Sequence, residues 1–142
     1  MPNDITLTEI EIAFVAKLKA AKVAFAGKSI RRLDIGIFPW HGTIELSALC
    51  VGDACQLEDI AGWPHYNFSA VQEGGWPEAA DVCARMEACW KRGVAANDFF
   101  ELFGAAMNSQ LVLAQLEEFN RTEDFGVTLM NPDAKNSRNY CV

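Results

Sequence analysis

Apolar positions along the first quarter of the chain recur at helical spacing. Ile10, Phe14, Leu18, Ala21 and Phe25 form one stripe, while Lys17, Lys19 and Lys22 fall largely off it. Thr8 and Glu11 fit a capping box, with Leu7 and Ile12 placed for a hydrophobic staple, and Gly27 suits the C′ position. The pattern predicts a helix over about 9–26. The period then changes to two. Leu33, Ile35 and Ile37 alternate with Asp34, Gly36 and Phe38, and Ile44, Leu46, Ala48 and Cys50 alternate with Glu45, Ser47 and Leu49. Both runs read as strands with one buried face. Pro39 lacks a ladder donor and ends the first, so Pro39-Trp40-His41-Gly42 becomes the bend of an antiparallel hairpin.

Beyond an acidic connection, Tyr66, Phe68 and Ala70 alternate with Asn67 and Ser69, which predicts a third strand broken by Gly74-Gly75. Pro77 suits the first turn of a helix. That helix carries Ala79, Val82, Cys83, Met86, Cys89 and Trp90 on a broad apolar face and stops at Gly93. Asn97 or Asp98 is expected to cap the next helix, whose Phe100, Phe103, Met107 and Leu111 share a face. Asn108-Ser109 divides it, and the second piece runs to about Phe119. A last strand places Phe125, Val127 and Leu129 inward, and Asn131-Pro132-Asp133 ends it. Residues 131–142 read as a polar, loose tail. The order predicts an α+β fold: a single domain, 1–142, whose antiparallel sheet of three or four strands carries the N-terminal helix and two or three later helices on one face.

Composition narrows the function. The chain has 142 residues, 51% hydrophobic and 22% charged, with a mean hydropathy of +0.04, ordinary values for a globular domain able to bury roughly 70% of its unfolded surface. No apolar run approaches the length of a membrane span, and the acidic N-terminal stretch lacks the form of a secretory signal. The expected location is the cytoplasm. Nineteen acidic against twelve basic side chains give a net charge of −7, and lysine and arginine form no cluster beyond short pairs. Nucleic acid and anionic membrane are therefore poor partners, whereas a protein with a basic surface would be steered toward the chain. The five cysteines, an odd number, point to reduced thiols.

Candidate chemistry is sparse. Cys50, Cys83 and Cys89 fall on apolar faces, where packing explains them. Cys55 and Cys141 are expected to be exposed and have no local histidine. No CxxC or HxxxH pair occurs, so no metal site or cofactor is expected. A set drawn from His41, His65, Cys55 and an acid could be assembled only by the fold. His41 and Glu45 are the visible acid–base pair and the basis of an alternative reading as a small hydrolase or transferase, with an adaptor or small-ligand-binding domain as a further alternative. There is no GxSxG elbow or phosphate-cradling loop. The aromatic segment 63–77 is richer. Trp63 and Phe68 read as core, while Tyr66 and Trp76, with Asp53, Glu58, Asp59, Glu73 and Glu78 around them, read as a partner-binding surface of aromatic anchors and acidic steering charges.

The stretches "LDIGIFPWHGTIELSAL", "WPHYNFS" and "EDFGVTLMNPD", taken with the element order, resemble small bacterial immunity proteins of polymorphic-toxin systems. The resemblance spans nearly the whole chain but supplies no diagnostic functional residue. It implies a cytoplasmic antidote that binds and blocks a cognate toxin domain; the net charge and the absence of a catalytic motif add the expectation of a non-enzymatic protein whose acidic, aromatic surface fills a basic cleft.

Overall fold

The computed structural model describes residues 5–72 and 74–141. Helix α1, Leu7–Ala24, is capped two residues earlier than the pattern predicts. Thr6 Oγ1 accepts from Glu9 N at 3.2 Å, and Glu9 Oε2 accepts from Thr6 N at 3.1 Å. Both Thr6 and Thr8 stand three residues before a glutamate, so burial decides between them. Capping at Thr6 gives the staple positions to Ile5 and Ile10, 4% and 0% exposed. Leu7 and Ile12, which the other register would bury, are 39% and 61% exposed.

Strands β1 (Ile30–Phe38) and β2 (Thr43–Cys50) form the expected hairpin, with Leu33 opposite Ala48, Ile35 opposite Leu46 and Ile37 opposite Ile44. Its bend is closed by His41 N donating to Phe38 O and Gly42 N to Pro39 O. Gly42 sits at φ +63°, and a Cβ there would stand 2.9 Å from Glu87 Cβ, so the turn needs glycine for both conformation and space.

The third strand is found elsewhere than expected. Residues 66–70 leave the extended state because Asn67 adopts the left-handed conformation (φ 51°) and the chain coils into the short helix α2, Phe68–Val71. Among the described residues a single bridge, Ala48 to His65 just before this segment, links it to β2. Single groups from the 53–69 stretch complete the edge instead. Leu46 N donates to Ser69 Oγ at 3.0 Å, Ala48 N to His65 O at 3.2 Å, and Cys50 N to Asp53 Oδ2 at 2.8 Å.

Helices α3 (Ala80–Lys91), α4 (Ala96–Met107) and α5 (Gln110–Glu117) follow, α3 behind a 3-10 turn at Pro77–Ala79. The expected side-chain cap on α4 is not made. Ala95 holds that position, and Asn97 Oδ1 accepts from Tyr140 Oη. Ser109 caps α5 through Val112 N. These helices return the chain to β3, Arg121–Thr128, which lies parallel to β1, giving the order β2-β1-β3. The sheet is therefore mixed rather than antiparallel. The hairpin reverses the chain once, and the helical connection then carries it past β1 to the far edge, so β3 runs opposite to β2 and therefore parallel to β1, a placement no short turn from β2 could reach.

One core joins Ile10, Phe14 and Leu18 of α1, Ile35, Ile37 and Leu46 of the sheet, and Met86, Phe99, Phe100 and Phe103 of the later helices. Phe14 meets Phe103 edge-on at 6.2 Å. The segment read as a loose tail is tied to this framework. Asn139 Oδ1 accepts from Leu129 N and Asn139 Nδ2 donates to Val127 O, both at 2.9 Å, while the Tyr140 ring lies 5.5 Å from Phe100. Gly104 permits the approach, since a Cβ there would fall 2.6 Å from the Tyr140 carbonyl oxygen. Among the described residues no helix is long and apolar enough to cross a membrane.

Candidate functional site

The outer face of the sheet, opposite the side on which Ile37 and Leu46 pack, floors a groove of about 530 Å³. Asp34 and Phe38 of β1, Glu45 and Ser47 of β2 and Thr128 of β3 supply the floor. Leu57, Ile60, Trp63 and Tyr66 wall one side; Met130 and Pro132 wall the other. Trp63, 4% exposed, is fixed by Nε1 donating to Gln56 O at 3.1 Å, so its wall is a packed part of the fold. Gly36 keeps the floor low. A Cβ at that position would meet the Phe38 ring at 3.0 Å.

The charges in this groove are arranged unequally. Asp34 is half-buried and accepts a hydrogen bond from Thr128 Oγ1; burial, reinforced by Glu45, holds its carboxyl above the usual range despite that bond. Glu45 Oε1 accepts from Tyr66 Oη at 2.7 Å, and this bond pushes the Tyr66 phenol up. The basic residue of the lining, Arg32, is turned to β3, where Nη1 bonds the Asp124 carbonyl and lies 3.7 Å from its carboxylate. A carboxylate held in largely apolar surroundings, with no cation paired to it among the described residues, marks a site suited to a positively charged group.

His41 is exposed on the hairpin bend. It shares a shallow depression beside the groove with Glu45, Tyr66 and Asp133. The depression thus gathers the two proposed acid–base residues, but the Glu45 carboxylate is engaged by Tyr66.

The residues expected to form one binding surface are distributed over both sides of the sheet. Tyr66 and Glu58 line the groove. Asp59 is exposed at the adjoining turn, its carboxylate folded against Gly62. Asp53 is drawn back to Cys50 N. Trp76 lies on the helical side, where Nε1 donates to Ala13 O at 2.8 Å and the ring meets Phe14 edge-on at 5.0 Å. Glu78 is exposed near Lys17, whose Nζ donates to Gly75 O at 3.1 Å. Glu73 lies outside the described residues.

Sequence reasoning passed over Asp34, Thr128, Leu57, Ile60, Met130 and Pro132. The one available signal was a carboxylate beside Gly36 on the outward phase of β1. All five cysteines are free thiols. Cys141, expected to be exposed, is half-buried, and burial followed by the nearby Asp34 pushes its thiol up to about 12. Cys50, Asp53 and His65 converge at the end of β2, a donor set able to hold a metal ion. Comparison with protein-family models, curated proteins and solved structures gives no match.

Proposed function

We propose that this protein is a non-enzymatic cytoplasmic binding protein of the immunity type. It receives a basic, apolar-flanked segment of a toxin domain in the outer-face groove and so keeps substrate from the toxin's cleft. The Asp34 carboxylate on the floor of a largely apolar groove carries this reading. Partial burial of a carboxylate that has only a hydroxyl donor upon it is costly, and an incoming guanidinium or ammonium offsets that cost through charge-assisted hydrogen bonds. Glu45 and Glu58 extend the negative field along the groove, and Trp63, Phe38 and Met130 offer apolar surface to the stem of a long basic side chain. The net charge of −7 favours the same class of partner.

Co-expression with the product of the neighbouring gene, followed by titration of the two purified proteins, tests the reading. A stable complex that relieves toxicity is expected. Asp34→Asn should weaken it by about tenfold or more, the scale set by removing one member of a buried charge pair. His41→Ala should leave neutralisation intact. Absence of a complex, or a complex indifferent to Asp34→Asn, Glu45→Gln and Tyr66→Ala alike, would sink the proposal.

A further inference from the structure

On the other side of the sheet, at the end of β2, three unlike donor groups converge. Cys50 closes the strand on its inward phase and is 3% exposed. Asp53 lies three residues on, where the turn brings its carboxylate back over the strand, and Cys50 N holds Oδ2 at 2.8 Å. His65 arrives from the far end of the 51–64 connection. Its backbone is held by Ala48 N donating to His65 O, and its ring stands edge-on to Phe25 at 4.9 Å. A sulfur, a carboxylate oxygen and an imidazole nitrogen thus lie within 4.8 Å of one another. A tetrahedral ion with bonds of about 2.0–2.3 Å spaces its ligand atoms by roughly 3.3–3.8 Å, so side-chain rotation closes the remaining gap.

We propose that Cys50, Asp53 and His65 form a three-ligand site for a borderline transition-metal dication of the Zn²⁺ class, with a fourth position open to water. Thiolate and imidazole together select Zn²⁺ or Co²⁺ over Mg²⁺ and Ca²⁺, which take oxygen ligands. Cys50 forms the buried base of the site, and the half-buried Asp53 and His65 form its outer rim, so an ion enters from the solvent side. Binding exchanges the Cys50 thiol proton for the ion, and that proton leaves to solvent. The Cys50 N–H bond orients the carboxylate, and the Ala48 bridge fixes the level of His65 along the strand. Cys50 belongs to the inward face and the groove to the outer one, so this inference stands independently of the partner-binding reading.

The test uses the full chain, metal-free and kept reduced with a phosphine, titrated with Co²⁺. One equivalent should produce a near-ultraviolet thiolate-to-cobalt band with the visible bands of a tetrahedral ion, and Zn²⁺ should displace it. Cys50→Ser should remove the thiolate band. Asp53→Asn, which keeps an acceptor for Cys50 N, and His65→Gln should each weaken Co²⁺ binding by at least the ~10–100-fold that follows loss of an outer partner. Because those two positions are half-exposed, they test the site even if Cys50→Ser does not fold. The proposal fails if wild type gives no thiolate band, if the band survives in Cys50→Ser, or if Asp53→Asn and His65→Gln bind Co²⁺ as wild type does.

Discussion

Asp34 shows how one side chain can oppose stability and still define a site. Its folded-state pKa is raised by burial above the unfolded value of about 3.9. The folded protein therefore holds the proton more tightly than the unfolded chain. Stability declines as pH rises from the unfolded value through the folded one, and a constant penalty remains above both. Asp34→Asn retains an acceptor for Thr128 Oγ1 and removes the penalty. Thermal denaturation should place the variant's midpoint above wild type at pH 7, with the difference vanishing below about pH 4. A midpoint difference independent of pH would contradict the assignment. The sequence could not single out this residue. An outward aspartate on an alternating strand reads as solvated, and only the 57–66 connection and Met130-Pro132, distant in sequence, turn that face into an enclosed floor.

At the level of elements, periodicity carried most of the fold. Helices α1, α3, α4 and α5 and the hairpin follow from apolar spacing, because each buries one face in a common core, and β3 lays the half-buried Phe125 and Val127 against it. Terminal chemistry was less legible. Thr6 and Thr8 offer the same motif, and the choice rests on what Ile5 and Ile10 bury. Thr6→Ala should cost about 1 kcal/mol in chemical denaturation, while Thr8→Ala should change stability by less than about 0.5 kcal/mol. The supposed third strand fails for a related reason. Phe68 and Ala70 alternate correctly, but Asn67 turns left-handed and Ser69 Oγ takes the place of a strand carbonyl opposite Leu46 N. Ser69 is 1% exposed, so Ser69→Ala leaves that amide without its partner. A loss of about 1–3 kcal/mol is expected, readable as a lowered denaturation midpoint and faster hydrogen exchange at Leu46. The parallel pairing of β1 and β3 left no local trace, because it depends on which edge of the hairpin β3 joins, which the strand's own residues do not encode.

For the whole molecule, charge and shape act together. The net charge of −7 provides a long-range field, and on the proposed reading the groove with Asp34, Glu45 and Glu58 is the point at which a basic partner meets it. Association with a basic partner should slow by about tenfold between low and physiological ionic strength, measured by stopped-flow mixing, with a smaller change in dissociation rate. A salt-independent association rate would remove steering from the account. The two outer strands add a constraint of another kind. Leu46, Ala48 and Cys50 of β2 already donate to Ser69, His65 and Asp53, while Asn139 occupies Val127 O and Leu129 N at the end of β3. At those positions an approaching peptide finds no backbone pairing to extend. On the proposed reading, recognition at those positions is spelled in side chains, so a few exchanges on the groove floor would redirect the scaffold from one partner to another while the sheet beneath stays the same.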